Sequence, residues 1–322
     1  MGIDFSLFHS NQLSVETWKD IFKNVQENVS VYIDNEEINK KYKNDTSIVF
    51  KIDDLSDKVN ASAIIINEFC YEIRIGRRLI QLLREYSWKV IDQHPAPFQH
   101  VKRDKDNQEE LHNAADALLY FWIDYILFHE WSHIILGHCD HIASKNESLF
   151  EEFQYEENNA DTNNDRDIER ISMEYEADKF GSRFAIGRLS VIWEKWADSF
   201  YGKRDVSLVL VDYLLSFHYL FDLLENTANE NKARKTHPDP MDRVFVFKTS
   251  LLEQIEGSDS FPTINEDTAN VILSLASIAY WNESGKDNEW ILESNNKAFE
   301  NINGYVECLD EMELESFRLM KA

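Results

Sequence analysis

The chain has 322 residues and carries 33 Lys and Arg against 59 Asp and Glu, a formal net charge of −26 at pH 7. Hydrophobic residues make up 43% of the sequence, which is enough to bury a sizeable core. The acidic balance argues against a general grip on nucleic acid, since phosphates would be repelled. It suits a protein that stays in solution or one whose partners carry basic patches.

The cysteines and the apolar stretches bear on the compartment. Cys70, Cys139 and Cys308 are odd in number and lack framework spacing, which argues against a secreted disulfide scaffold. The N-terminus lacks the basic and apolar regions of a secretory signal. Asp124 and Asp212 interrupt the longest apolar stretches, and a bilayer span needs about 20 apolar residues. We therefore expect a cytoplasmic protein without membrane spans.

Residues 1–57 are polar and mixed, with helix-like and short strand-like pieces. A compact apolar run at 63–66 and an alternation of apolar and charged residues at 71–75 predict two short strands. The second strand is expected at an edge of its sheet, where an extended substrate could add as a further strand. Gly76 ends that strand, and the helical spacing that follows predicts a helix over 77–91.

The strongest helical pattern covers 112–137, where Gly137 is a natural C-terminal stop. An insert at 144–170 contains nine Asp and Glu and many Asn, which predicts a mobile surface loop. A second helix is predicted over roughly 168–190, and the remainder of the chain is expected to be largely helical.

These elements predict an α+β fold that is mainly helical, with a small mixed sheet beside the helix at 112–137. No repeat or linker divides the sequence, so a single domain over 1–322 is expected. Its core covers about 60–245, with an N-terminal extension at 1–57 and a helical C-terminal extension at 246–322.

The motif HEWSH lies in the last two turns of the predicted helix. His129 and His133 are four residues apart, about 40° around the helix axis, so both imidazoles can reach one ion. Glu130 can lean over the same site without being a ligand, as in zinc hydrolases. The alternative is a set of partly exposed polar residues on an amphipathic helix. Two histidines and a glutamate on a buried surface are costly unless they are paired or bound.

A catalytic zinc needs a third protein ligand, and the best candidate lies in the second helix. One face of this helix carries two acids and otherwise only small residues: Glu174, Ala177, Asp178, Gly181 and Ala185. Small residues allow a close approach, which would bring Glu174 to the metal and leave Asp178 to orient a ligand histidine from behind. Glu176 is about 200° from Glu174, so the two cannot serve one ion. The alternative is a charged surface helix.

The segment THPDPMDR, residues 236–243, is a third candidate element. His237 beside a zinc ion could donate a hydrogen bond to a developing oxyanion. Arg243 could bind a peptide carbonyl or a carboxylate. Taken alone, this segment is better explained as a simple helix start.

Two further histidines, His138 and His141, follow the predicted helix that carries HEWSH. A second metal site there is conceivable. Structural roles, or hydrogen bonds to the ligand residues, are favoured because the chain should turn away after Gly137.

Together, HEWSHIILGH (129–138), EYEAD (174–178) and THPDPMDR (236–243) occur in the order found in gluzincin metallopeptidases of the Ste24/HtpX type. The chain is more similar still to a soluble branch, the phage-exclusion peptidase Lit family. The resemblance covers residues of about 60–245.

The resemblance implies a zinc metallopeptidase with one Zn²⁺ ion, in which Glu130 activates the zinc-bound water. It implies these roles: zinc ligands His129, His133 and Glu174; general base Glu130; hydrogen-bond partner of a ligand Asp178; transition-state contact His237; substrate contact Arg243. Lit-type enzymes cleave a translation elongation factor, so the resemblance implies a protein substrate, with a translation factor as the candidate, and a role in phage exclusion. The competing hypothesis is a catalytically inactive, metal-stabilised interaction or regulatory module.

Overall fold

The computed structural model describes residues 46–53, 59–93, 109–145, 150–151, 164–199, 206–230, 237–257, 264–285, 287–312 and 314–319. Most of these residues are helical, and a small mixed sheet accompanies the helices. The predicted α+β, mainly helical fold is confirmed.

The sheet has four strands: β1 (Ser47–Asp53), β2 (Ala61–Asn67), β3 (Cys70–Gly76) and β4 (Phe150–Glu151). Their order is β1-β3-β2-β4. β1 runs parallel to β3, whereas the β2–β3 and β2–β4 pairs are antiparallel. The two strands predicted from the apolar run and the alternation are therefore confirmed as β2 and β3.

The predicted position of the strand near 70–75 at a sheet edge is wrong. Ile73 of β3 pairs with Phe50 on one side and with Ala63 on the other, so both edges of β3 are occupied. The neighbour whose pairing was not predicted is β1, which lies in the region with strand-like pieces; its Ile48 and Phe50 are buried and alternate with exposed residues. A substrate strand cannot add to β3 without displacing one of its neighbours.

Eight helices are described: α1 (Arg77–Gln93), α2 (Glu109–Ile135), α3 (His138–Ser144), α4 (Asn164–Ser199), α5 (Val206–Glu230), α6 (Pro240–Gly257), α7 (Glu266–Glu283) and α8 (Asn288–Glu311). A short 3₁₀ turn, Leu314–Ser316, follows. The helices predicted over 77–91, 112–137 and 168–190 are confirmed as α1, α2 and α4.

The acidic insert is less uniform than the predicted loop over 144–170. It contains β4, which pairs with Ser62 and Ala63 of β2. α4 begins at Asn164, inside the predicted loop. The rest of the insert, 146–149 and 152–163, lies outside the described residues.

Helix α2 is the central element of the fold. It contacts α1, α4, α5, β2 and β3, and nearly all of its described side chains from Ala114 to Ile135 are buried. A helix that is buried all round is apolar on every face, which explains why this stretch approaches the hydropathy of a membrane span. Over the described residues, no helix combines the length and apolarity that crossing a bilayer requires.

One hydrophobic cluster extends from Ile48 in β1 to Leu319 near the C-terminus. α6 crosses the expected boundary of the core at residue 245, and α8 packs against both α4 and α6. The regions expected as extensions therefore contribute side chains to the packing around α2. The single-domain organisation over 1–322 stays a prediction.

Candidate metal centre

Two histidines of α2 and one glutamate of α4 converge in the interior. His129 Nε2 lies 3.1 Å from Glu174 Oε2 and 3.1 Å from His133 Nε2. His133 Nε2 lies 3.5 Å from Glu174 Oε1. All three residues are buried, and one donor atom from each can reach a common point, so this group can hold a metal ion.

The separations suit a tetrahedral ion. Zinc binds imidazole nitrogen and carboxylate oxygen at about 2.0–2.2 Å, which places neighbouring donors of a tetrahedron roughly 3.3–3.6 Å apart. The observed distances of 3.1–3.5 Å lie at or just below that range. Two imidazoles and one carboxylate are also the protein ligands of several catalytic zinc sites, in which a fourth position stays open.

The charges around this group favour a cation. Although burial opposes it, contacts with Asp178 and Glu174 raise the pKa of His129 well above its usual value. Burial again opposes the shift at Glu174, yet His237, His133 and His129 hold the pKa of that carboxyl well below its usual value. Burial lowers the pKa of His133 to about 4, and the neighbouring histidines add to this effect. The Glu174 carboxylate, whose pKa is lowered, lies beside ring nitrogens of both histidines, and its negative charge favours a bound cation.

Small residues bring α4 close enough to α2 for these contacts. Ala177 and Ala185 are buried, and Gly181 lies against the backbone of His129. This is the close approach that the small-residue face of the sequence predicted. It places Glu174 at the histidine pair and Asp178, one turn later, behind it.

Asp178 is fully buried and contacts the ring of His129 from the side opposite Glu174. Its Oδ1 atom lies 2.9 Å from His129 Nδ1 and also accepts a hydrogen bond from the hydroxyl of Tyr125. Burial opposes ionisation, but Arg243 and His129 lower the pKa of Asp178 to about 2. A carboxylate in this position fixes which ring nitrogen of a ligand histidine carries the proton.

Arg243 is buried and pairs with Asp178. Its side chain is 4% exposed, and it donates from Nε to Asp178 Oδ2 (2.9 Å) and from Nη2 to Asp178 Oδ1 (2.8 Å). The guanidinium also packs over the ring of Phe221. Because its Nε and Nη2 atoms both donate to one buried carboxylate, Arg243 holds Asp178 in place, and its role as a substrate contact stays a prediction.

Glu130 is buried at 1% exposure, one residue after the first histidine. It is absent from the group of three that can hold the ion. Burial raises the pKa of the Cys139 thiol, and the nearby charges of Asp140 and Glu130 raise it further. The Glu130 side chain is therefore close to the start of α3, where Cys139 lies.

His237 lies beside the group, on the segment that leads into α6. Its Nε2 atom is 3.4 Å from Glu174 Oε2, and its side chain is 19% exposed, against 1–5% for the three donors. α6 begins with Pro240, at the first helical position where a missing N–H costs nothing. The predicted helix start is confirmed, and His237 is the member of this cluster most open to solvent.

His138 and His141 behave differently from each other. His138 Nδ1 lies 3.0 Å from His133 Nδ1, and His138 Nε2 lies 2.9 Å from Glu176 Oε2. His141 packs its ring against Phe317. Neither histidine belongs to a second group of metal donors in the described parts of the chain.

Sequence reasoning missed four residues that contact the side chains around this group: Tyr125, Glu176, Phe221 and Arg318, the last of which donates a hydrogen bond to Glu176 Oε1. The sequence did indicate that Glu176 has another partner, because its position on the helix points away from Glu174 and therefore away from the ion. Phe221 and Arg318 contact residues far away in the sequence, so no local pattern marks them, whereas Tyr125 lies one helical turn before His129 and also contacts its ring.

The fold and this buried group define a mainly helical α+β protein with a candidate metal centre. The model of the family Peptidase U49 matches residues 65–260, more than half of the chain. The chain belongs to this peptidase family, which confirms the predicted protease class and supports the likeness to Lit-type peptidases. No curated protein matches the chain, and no solved structure does.

Proposed function

We propose that this chain is a zinc-dependent endopeptidase whose ligands are His129, His133 and Glu174. The observation that carries the proposal is the convergence of these three buried donors at 3.1–3.5 Å in a chain of a peptidase family. When bound, zinc supplies Lewis acidity, which polarises a carbonyl and lowers the pKa of water towards 7.

Three residues near the proposed ligands have separate roles in the reaction: Glu130, His237 and Asp178. Glu130 accepts the proton of the attacking water and later delivers it to the leaving amine. His237 donates a hydrogen bond to the oxyanion that develops on the scissile carbonyl. Asp178 keeps the Nδ1 proton of His129 in place, so that the Nε2 lone pair of this ring faces the ion.

A protein substrate follows from membership of a peptidase family, and its identity is a further step. The likeness to Lit-type enzymes supports a role in phage exclusion, with a translation factor as a candidate substrate. The acidic chain, with a net charge of −26, suits a substrate that presents basic segments near its cleavage site.

The decisive experiment compares the wild type with Glu130→Gln, which keeps the shape of the side chain and removes its charge. Zinc content of the purified proteins and N-terminal proteomics of cells producing each protein are measured. We expect about one zinc per chain in both, and new N-termini only with the wild type. The exposed Glu293→Gln serves as the matched control and should behave like the wild type.

Two results would contradict the proposal, and they differ in meaning. If cells with Glu130→Gln show the same new N-termini as the wild type, Glu130 is not the general base. If neither protein produces new N-termini while both bind zinc and both still exclude phage, the metal-stabilised module without turnover is the better explanation.

A further inference from the structure

The last described part of the chain, residues 314–319, contacts the end of helix α2, and we call it the C-terminal clasp. The N–H of Leu319 donates a hydrogen bond of 3.0 Å to the carbonyl of Ile135. This carbonyl belongs to the last turn of α2, which lacks helical partners of its own. Gly137 then turns the chain with a φ of 81°, and the backbone of Phe317 fills the space beside it, 2.4 Å from an ideal Cβ.

A chain of hydrogen bonds joins this clasp to the ligand His133. Arg318 Nη2 donates to Glu176 Oε1 at 2.8 Å. The other oxygen, Glu176 Oε2, lies 2.9 Å from His138 Nε2, and His138 Nδ1 lies 3.0 Å from His133 Nδ1. His138 is completely buried and His133 nearly so, so water does not compete for the inner links.

The chemistry of these groups gives the chain a direction. A carboxylate paired with a guanidinium accepts hydrogen bonds and donates none, so His138 carries its ring proton on Nε2. Its Nδ1 is then an acceptor, and the facing Nδ1 of His133 is the donor. Nε2 of His133 is left with its lone pair, and this is the atom that faces Glu174 in the candidate metal centre.

We propose that Arg318 is a positioning residue of the metal centre, which acts through Glu176 and His138 to fix the tautomer and orientation of His133. The proposal rests on the metal site proposed above. It extends that site beyond residues 65–260, the part matched by the family, to the end of the chain. Partners that hold a metal-binding histidine from outside typically affect metal affinity about 10–100-fold.

The alternative is that Arg318 only stabilises the fold. Its side chain is 31% exposed, and ion pairs with that exposure contribute little stability. Arg183 is a matched control for this alternative. Its side chain is 35% exposed and pairs with Glu253, so this ion pair also joins two separate elements, α4 and α6. Arg183 is not part of the series of hydrogen bonds that leads to His133. Arg318→Ala and Arg183→Ala therefore remove the same charge and the same type of pair.

The test measures zinc affinity by competition with a chromophoric chelator, and the visible absorption spectrum after loading with Co²⁺. We expect Arg318→Ala to bind zinc about 10-fold more weakly and to change the cobalt spectrum. Arg183→Ala should match the wild type in both measurements. Arg318→Lys should recover part of the affinity, since it restores the charge without the planar fork.

A second variant, His138→Phe, cuts the chain in the middle and leaves the pair of Arg318 and Glu176 intact. It should weaken zinc binding at least as much as Arg318→Ala. The proposal is overturned if Arg318→Ala keeps the zinc affinity and the cobalt spectrum of the wild type, whatever the result for His138→Phe. If the wild type itself binds no zinc, the proposed metal centre is wrong. If the wild type binds zinc and Arg318→Ala binds it equally well, only the role of Arg318 is wrong.

Discussion

Gly181 of α4 touches the backbone of His129 in α2. A Cβ atom at Gly181 would lie 2.9 Å from His129 N and 3.0 Å from His129 Cα. Both of these are backbone atoms of a fully buried helix, so neither can move aside cheaply. The distance between the two helices, and with it the reach of Glu174, depends on the absence of this one methyl group.

The first prediction therefore concerns Gly181→Ala. The added methyl should push α4 away from α2, with a loss of about 1–3 kcal/mol in the free energy of unfolding and weaker zinc binding. Urea unfolding of the metal-free protein and chelator competition measure the two effects. Gly187→Ala on the same helix is the control, because a Cβ there meets nothing within 4 Å. A neutral Gly181→Ala would show that the helices can separate without disturbing the site.

The second prediction separates a holding role from a substrate contact at Arg243. Arg243→Met would leave the buried Asp178 carboxyl without its guanidinium partner, and breaking such a buried pair costs about 3–5 kcal/mol of stability. Zinc affinity should fall as well, because His129 loses a fixed neighbour. The exposed Arg78→Met should change stability by less than about 0.5 kcal/mol. A substrate contact would predict the reverse, unchanged stability and zinc affinity with slower cleavage.

His237 provides the third prediction. In His237→Gln, we expect zinc content to stay at the wild-type level while cleavage in cells falls by about 100-fold or more, as when a donor to an oxyanion is removed. Metal analysis together with quantitative N-terminal proteomics measures both quantities. Its Nε2 atom lies only 3.4 Å from Glu174 Oε2, so loss of zinc from this variant would instead make His237 a fourth ligand.

The fourth prediction concerns stability at alkaline pH. Burial alone lowers the pKa of Lys248, which lies over the ring of Trp281, from 10.5 to about 8. Below pH 8 the lysine is charged in both the folded and the unfolded chain, so the folded state bears the full cost of a buried charge. As pH rises from 8 to 10.5 the folded state loses this proton first, and stability increases by at most about 3 kcal/mol.

Lys248→Met should abolish that increase. The difference in Tm between the variant and the wild type should be largest below pH 8 and should shrink towards pH 10.5. Tyrosines titrate at the upper end of this range in both proteins, and taking the difference removes their effect. A difference in Tm that stays constant with pH would mean that the ammonium is well solvated in the folded state.

The sequence was most informative where two functional residues lie on the same helix. The spacing of His129 and His133 and the shared face of Glu174 and Asp178 follow from helical periodicity alone. The structure places all four side chains together, with Asp178 behind the first histidine. Periodicity works here because α2 and α4 are long, regular and packed against each other.

Long-range partners were beyond such reasoning. The family resemblance made Arg243 a substrate contact, and its pairing with Asp178, which joins residues 65 positions apart, was not predicted. The contact of Arg318 with Glu176 joins residues 142 positions apart. Each pairing is decided by how whole helices dock, and no local pattern records that. The strand-like pieces of residues 1–57 were visible in the sequence, but the pairing of β1 with β3 was not, because it depends on how distant strands meet.

Strand β1 also has a consequence for any shortened form of the protein. It covers one edge of β3 along seven paired residues, from Ser47–Cys70 to Asp53–Gly76. A fragment cut to residues 65–260 would lose β1 and half of β2, and would expose a row of unpaired backbone groups beside Tyr71, Ile73 and Ile75. Such an edge recruits strands from other molecules. We expect that fragment to self-associate into insoluble aggregates, whereas chains that retain residues 46–76 remain dispersed.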